Sequence, residues 1–593
     1  MEYSQQQLSV IESQGNLVVN AIAGSGKTST LIGYAARRKS GRILYLAFNK
    51  SVKQEAVEKF REHGLRNVTV ETAHSLALQH MRGHSLNIYN GTYQAFDAKR
   101  FLGFKLKDAI EDMRFGRHVL QLVSKFCNST ANAVSEVDYL SGLQGEDRAF
   151  AAKHQDRLIL NARQFLGMMD KGEIEMIHDF YLKKYQLSQP DLSAYDCILF
   201  DEGQDASPVM LDVFLRQSAT KVIVGDEHQQ IYGWRHAVNA LKNSGFNRKY
   251  LETSFRFDRH IGELAKSILA TKNILEEIRV PQIIGKGTPS EDKTRATLGR
   301  SNSAILVDAI EKLIDTEAIK SVYFEGHFNS YTYADEGGSV YDVLNLYMGN
   351  RKLIRNPMIK AFQDFVELEE YVEKTNDASL KGIMNVVKKY GKELPGIIKT
   401  IKDRHLEHED KDKAEMIYST VHKAKGMEYG EVSLLGDFLG EKKLLELLPR
   451  QDVDLDTDKV LEDINVLYVA VTRAKNKLII PDILVPEAFD AGRGKSIEII
   501  KTQEEEPEYD DEELFFDFRA GPEPKIAHAE SKAYSVKAVR EKHKHAYKGW
   551  SVDEDKALQK MHRAGKKVKE LAEYFGRTKG AIRSRLKKLE LID

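Results

Sequence analysis

Residues 21–28 read Ala-Ile-Ala-Gly-Ser-Gly-Lys-Thr and follow the apolar run Leu17-Val18-Val19. An apolar strand feeding a glycine-rich turn that opens a helix is a phosphate-binding arrangement. Backbone N–H groups wrap the phosphates, a lysine reaches the β and γ phosphates, and a hydroxyl ligates Mg²⁺. Here Ala23, Gly24, Ser25 and Gly26 form the turn, Lys27 is the cation, Thr28 the metal ligand and Ser29 the next helical residue. The positive end of the helix dipole adds to the attraction. The general pattern begins with glycine, where this chain has Ala21. A second acidic site follows the run Cys197-Ile198-Leu199-Phe200, which ends in Asp201-Glu202. A buried strand ending in two carboxylates sets them at the carboxyl edge of a sheet, beside a phosphate loop. Asp201 is then placed to hold Mg²⁺, and Glu202 to orient and deprotonate an attacking water. Such a pair alone is common on surfaces; its position behind an apolar strand gives it meaning.

The elements that must carry these groups alternate. Short β-like runs at Leu17–Asn20, Ile43–Phe48 and Val68–Glu71 are separated by helical stretches, the rhythm of a parallel sheet covered by helices. Residues 76–190 read as helical and charged. The strand rhythm returns at Cys197–Phe200 and Lys221–Val224, then near Ser301–Val307, Met416–Ser419, Val432–Leu435 and Leu478–Ile480. Residues 335–410 form another helical stretch. The expected organisation is two α/β cores, 1–75 with 191–250 and 251–334 with 411–500. Each is interrupted by a helical insertion, 76–190 and 335–410.

Three further motifs carry a resemblance. Residues 225–235 read Gly-Asp-Glu-His-Gln-Gln-Ile-Tyr-Gly-Trp-Arg, residues 420–428 Thr-Val-His-Lys-Ala-Lys-Gly-Met-Glu, and residues 468–474 Tyr-Val-Ala-Val-Thr-Arg-Ala. In that order, with the two motifs above, residues 1–490 resemble superfamily 1 helicases of the UvrD/Rep/PcrA group. The short second insertion is more similar to the F-box DNA helicase branch. The resemblance implies two RecA-like parallel-sheet cores, ATP and Mg²⁺ as cofactors, and an ATP-dependent DNA helicase moving 3′ to 5′ on single-stranded DNA in replication, repair or recombination. Gln7 matches a glutamine that reads the adenine edge, with Gln5 and Gln6 as neighbours in the same run. Gln229 matches the sensor of the γ-phosphate. In Leu251-Glu252-Thr253-Ser254-Phe255-Arg256, Phe255 stands where a tyrosine stacks on adenine and Arg256 touches the γ-phosphate. Arg473 matches a second arginine finger, and Gly426 and Glu428 the segment at the ribose. A planar, permanently charged fork suits the transferring phosphoryl group. Two arginines from the second core would reach it only when the cleft closes.

The same resemblance lays out a nucleic-acid track. Trp234 and Tyr232 match a stacking platform, and stacking tolerates any base. Phe48, Asn49, Thr72, His74 and His422 match residues that grip the strand. The chain departs from the pattern at Gly203, where alanine is usual, and at Ser29, where an arginine often covers the adenine.

Beyond residue 501 the character changes. Residues 501–540 are an acidic linker containing the apolar knot Leu514-Phe515-Phe516-Asp517-Phe518, a candidate docking peptide for a replication clamp or other partner. Residues 541–593 carry 15 Lys and Arg against 8 Asp and Glu. A helix opened by Trp550 to Asp555 and broken by Gly565, a second with the apolar face Val568 to Phe575 and a third over Ala581 to Leu589 read as three short helices. The last presents Lys579, Arg583 and Arg585 outward, similar to a Myb/SANT-like or helix-turn-helix module that contacts duplex DNA.

Composition sets the remaining bounds. A chain of 593 residues exceeds one core, and about three to five domains are expected. The net charge is −1, so any basic surface is local. Two cysteines, far apart, argue against an iron–sulfur cluster, a zinc ribbon or a disulfide framework. No run approaches a membrane span and the start lacks a charged leader, so an intracellular protein is expected, cytoplasmic first, with the nucleus left open and no membrane partner. Single-stranded DNA and its junctions with duplex are the expected partners. A translocase that mainly displaces proteins from DNA, with weak unwinding, is the alternative; it shares every catalytic residue.

Overall fold

A computed structural model describes residues 2–81, 87–143, 145–233, 237–243, 245–333, 338–375, 377–448, 456–490, 494–502, 552–563, 566, 568–575, 582, 585, 586 and 589. Six strands form the first sheet: β1 Leu17–Ala21, β2 Ile43–Ala47, β3 Val68–Thr72, β4 Cys197–Phe200, β5 Thr220–Gly225 and β6 Asn247–Leu251. Their order is β3-β2-β4-β5-β1-β6, and every pairing is parallel. Two residues each from β7 Thr253–Ser254 and β8 Ile284–Gly285 form a short parallel ladder beyond it. The second sheet comprises β9 Arg295–Gly299, β10 Val322–Phe324, β11 Met416–Thr420, β12 Tyr429–Leu434, β13 Ala474–Pro481 and β14 Ile497–Ile500, in the order β10-β11-β9-β12-β13-β14 and again parallel. The fold is therefore α/β with two parallel sheets.

Strand alternation divides each sheet between two cores. In the first, Val19, Tyr45, Leu199 and Val222 face the helix Lys27–Ala36, while Val18, Leu44, Ile198 and Ile223 face the helices of 109–187. Both faces are covered, which is why β1, β2 and β4 are buried along their whole length. In the second sheet, Leu298, Ile417, Val432 and Leu478 pack on the helices Arg259–Ala270 and Thr457–Val471. Phe324, Met416 and Tyr418 pack toward the helices of residues 340–403.

One expected strand is a helix. Residues 302–310 are helical, and the strand of that region is β9, just before. Ser301 caps the helix by accepting from the Ala304 N–H at 3.1 Å, and Asp437 accepts from the Arg300 and Ser301 N–H groups. The run Ala304-Ile305-Leu306-Val307 is apolar because a helix carries it into a core, a pattern that a short buried strand shares.

Residues 523–593 form a separate compact unit. Its helices Val552–Arg563 and Val568–Tyr574 bury Leu558, Leu571, Ala572 and Phe575 together with Ile582 and Leu586. Arg585 has helical backbone; Lys579 and Arg583 lie outside the described residues, as do Trp234 and Leu514 to Phe518.

Candidate nucleotide site and nucleic-acid interface

The phosphate loop follows from β1 directly. Gly24 and Gly26 adopt φ of 71° and 78°, a left-handed geometry that favours glycine, and turn the chain into the helix Lys27–Ala36. Space demands glycine too. A Cβ on Gly24 would meet Arg256 Cβ and Ser254 Oγ at 2.6 Å, and one on Gly26 would meet Gln7 Nε2 at 2.7 Å. Gln7 sits in a capping box with Ser4 and directs its amide nitrogen to the Ser25 carbonyl at 3.4 Å. Gln6 is turned elsewhere, accepting from the Glu252 N–H. Of these two glutamines, Gln7 is the one against the loop.

Lys27 Nζ lies 3.6 Å from Glu202 Oε1. Glu202 has φ 52°, an uncommon backbone for a non-glycine residue, which turns its side chain out of β4. Asp201 is buried; its Oδ1 accepts from the Glu202 N–H at 3.0 Å and its Oδ2 from the Tyr45 hydroxyl. Burial, and then the charge of Glu202, pushes the Asp201 carboxyl up. Burial acts in the same sense on Glu202, yet Lys27, with help from Lys425, Gln204 and Arg473, holds it well below the usual range. The two carboxyls are driven apart, the condition for dividing roles between neighbouring acids.

The second lobe reaches this pocket with both arginines. The Phe255 N–H donates to the Gly24 carbonyl at 2.9 Å, which fixes Arg256 over the loop. Its guanidinium donates to Glu428 Oε1 from Nε at 2.9 Å and to the Thr472 carbonyl at 2.9 Å. Glu428 is thus the partner of Arg256 here, with Lys475 3.5 Å from its other oxygen. Arg473 is 1% exposed and donates to the carbonyls of Val469 and Met427 at 3.0 and 3.1 Å. Burial, then the charge of Arg256, lowers its pKa to about 9. No carboxylate among the described residues lies within ion-pair distance of it.

Several residues of the site carry no signal of their own in the sequence. Lys425 pairs with the buried Asp205 and donates to the Gln229 carbonyl, joining the lobes. Gln229 in turn donates to Asp226 at 2.8 Å, which also accepts from the Tyr468 hydroxyl at 2.9 Å. Asn465 donates to the Gln230 carbonyl, and Glu462 accepts from the Gly233 N–H. Residues 226–233 are therefore laced to the second lobe by Lys272, whose Nζ lies 3.3 Å from His228 Nδ1, as well as by these four side chains. All four lie in or next to the motifs at 420–428 and 468–474, but their partners are roughly two hundred residues away.

A row of rings continues from this strap. Phe48 stacks on Tyr232 with centroids 5.7 Å apart and planes 18° from parallel, and Tyr232 lies 6.0 Å from the His422 ring. The Tyr232 hydroxyl donates to the His422 carbonyl at 2.8 Å. Asn49 caps the helix Lys50–Glu62, and Thr72 caps Ala73–His80. His74 is half-exposed beside Asp179, edge-on to Tyr181 at 5.8 Å.

The pocket fits a Mg²⁺–nucleotide. Ser25 Oγ is buried with no hydrogen-bond partner, and the loop glycines leave a concavity that Cβ atoms would fill. Thr28 is half-buried in the first turn, and Asp201 offers a hard oxygen donor. No group of three or more His, Cys, Asp or Glu among the described residues is arranged to hold an ion unaided. No helix among the described residues is long and apolar enough to cross a membrane.

Residues 2–247 match the UvrD/REP helicase N-terminal domain. The chain is 29% identical over 501 residues to F-box DNA helicase 1 of Gallus gallus, covering 79% of this chain and 48% of that protein. It is 25% identical over 540 residues to F-box DNA helicase protein 1 of Schizosaccharomyces pombe, 81% of this chain and 57% of that protein. Against DNA helicase II of Haemophilus influenzae it is 24% identical over 366 residues, 57% of this chain and 46% of that one. The chain spans about half the length of these relatives. The glycine turn at 23–26, the Asp201–Glu202 pair and Gln229 all lie inside the residues that are similar to the UvrD/REP helicase N-terminal domain.

Proposed function

We propose that the chain is an ATP- and Mg²⁺-dependent motor that tracks 3′ to 5′ along single-stranded DNA and separates duplex strands ahead of it. The single observation that carries the reading is the seam. A phosphate loop on one lobe is flanked by two arginines of the other, and a row of aromatic rings crosses the same junction. In this reading the cores are 1–75 with 191–250 and 251–334 with 411–500, and 76–190 and 335–410 are the insertions.

Gln7 reads the adenine edge and Phe255 stacks on the base. Lys27 and the loop N–H groups hold the phosphates. Thr28 and Asp201 would hold Mg²⁺, which would supply positive charge against the phosphates. Glu202 orients the attacking water and takes its proton, and Gln229 registers the γ-phosphate. Arg256 exchanges Glu428 and the Thr472 carbonyl for phosphoryl oxygens, and Arg473 turns from its carbonyl partners to the same group. Each exchange needs the lobes to close, so hydrolysis drives a domain motion. Phe48, Tyr232, Trp234 and His422 form the base-stacking track, with Asn49, Thr72 and His74 along the strand. Lys579, Arg583 and Arg585 contact duplex DNA, and Leu514 to Phe518 dock a partner such as a replication clamp. The work is done inside the cell.

The test is ATPase stimulation by single-stranded DNA, RNA and duplex, with unwinding of substrates tailed at 3′ or 5′. Single-stranded DNA stimulates hydrolysis, 3′ tails support unwinding, and Lys27→Ala reduces hydrolysis to background. DNA-stimulated hydrolysis retained in Lys27→Ala would overturn the assignment of the loop.

A further inference from the structure

The Tyr45 hydroxyl meets Asp201 from outside the motifs. Tyr45 stands at the middle of β2, fully buried, and is paired in register with Leu199 of β4. Asp201 follows Leu199 by two residues, so alternation sets Tyr45, Leu199 and Asp201 on one face of the sheet, the face that also packs the helix Lys27–Ala36. The Leu46 carbonyl accepts from the Asp201 N–H at 3.1 Å, which locks β4 to β2 at this level. Phe60 lies edge-on to the Tyr45 ring, centroids 5.3 Å apart and planes at 70°. The ring is thereby pinned, and its hydroxyl is delivered to the carboxyl edge of the sheet, where it donates to Asp201 Oδ2. The other oxygen, Oδ1, accepts from the Glu202 N–H. Each carboxylate oxygen then holds one donor and keeps a further lone pair for another ligand.

Resting on the nucleotide reading above, we propose that Tyr45 is a positioning residue for the divalent cation: it fixes the rotamer of Asp201 from beneath, so that the carboxylate meets the metal–nucleotide without reorganising. A buried side chain that orients a metal ligand is worth roughly ten- to a hundredfold in metal affinity when it is removed. Tyr45 is fully buried with its hydroxyl on Asp201, so its expected effect is on the metal.

Tyr45→Phe tests this, since it deletes one oxygen and keeps the ring against Phe60. Mn²⁺ binding to the full chain with ADP is followed by electron paramagnetic resonance of the free ion. In parallel, binding of a fluorescent ADP analogue is measured in EDTA. The expected result is a roughly tenfold higher half-saturating Mn²⁺ concentration, with metal-free ADP binding unchanged. The half-saturating Mg²⁺ for ATP hydrolysis rises in step, while kcat at saturating Mg²⁺ stays within about twofold of wild type. An unchanged Mn²⁺ titration overturns the proposal and leaves the nucleotide reading intact. An equal loss of metal-free ADP binding also overturns it, because the variant then disturbs the pocket as a whole. If the wild-type chain itself binds no Mn²⁺ in the presence of ADP, the nucleotide reading fails and this proposal with it.

Discussion

At the nucleotide seam Arg473 is 1% exposed and Asp201 5%, whereas along the aromatic row Phe48 is 38% exposed. The two regions share the strap 226–233 and differ in how they are held. The seam is held by opposite charges that pair with one another: Lys425 with the fully buried Asp205, the part-buried Lys27 with Glu202, and Arg256 with Glu428, whose side chain is itself 38% exposed. The row consists of rings that stay partly in solvent and meet face to face, with Phe48 and Tyr232 nearly parallel. Buried charge discriminates strongly and tolerates little, because an ion left without its partner is costly. Stacking discriminates weakly and tolerates any base. A motor needs the first where phosphate chemistry is gated and the second where a polymer must slide.

Substitutions can break or sharpen this contrast. Arg473→Ala removes the more deeply buried of the two arginines at the pocket and is expected to lower kcat for hydrolysis by about a thousandfold. Steady-state ATPase at saturating single-stranded DNA reads it, and a loss of about tenfold or less would remove Arg473 from the chemistry. Lys425→Met leaves Asp205 buried without its cation and should destabilise the chain by about 3 kcal/mol in urea denaturation. An effect near zero would mean that the lobes are not held by this pair.

Phe48→Ala, on the row, is expected to weaken binding of an oligothymidylate by about 1–3 kcal/mol while kcat at saturating DNA changes little. If instead kcat fell as for Arg473→Ala, the distinction between seam and row would collapse. The smallest expected effect concerns Lys272, buried between Asn465 and His228. Burial, then the charge of Lys242, lowers its pKa from 10.5 to about 8. The folded chain therefore gives up this proton more readily than the unfolded one. The contribution of Lys272 to stability is full above 10.5 and is lost as pH falls through 8. Wild type should gain about 1 kcal/mol over Lys272→Met between pH 8 and 9, measured by denaturation at each pH. A constant difference would show that Lys272 is not desolvated at the seam.

What could be read in the sequence follows the same division. The strand–turn–helix of the candidate phosphate loop is legible because all its parts are contiguous: a strand, two glycines forced by φ and space, then Lys27. Asp201 and Glu202 were legible because an apolar strand points to them. The pairing of Lys425 with Asp205 was not, since 220 residues separate two ordinary charges. Nor was Tyr45, whose hydroxyl matters only because β2 lies beside β4. The helix at 302–310 read as a strand because a short apolar run has no period of its own. Strand β6, Asn-Arg-Lys-Tyr-Leu, carries no apolar run because an edge strand needs little apolar surface.

The most direct test is a structure of the chain with ADP, aluminium fluoride, Mg²⁺ and an oligothymidylate. The account predicts that Arg256 has left Glu428, and that both its guanidinium and that of Arg473 donate to the fluoride group above Lys27. Arginines still bonded to Glu428 and the Val469 carbonyl in that complex, with DNA on the row and nucleotide in the loop, would contradict it.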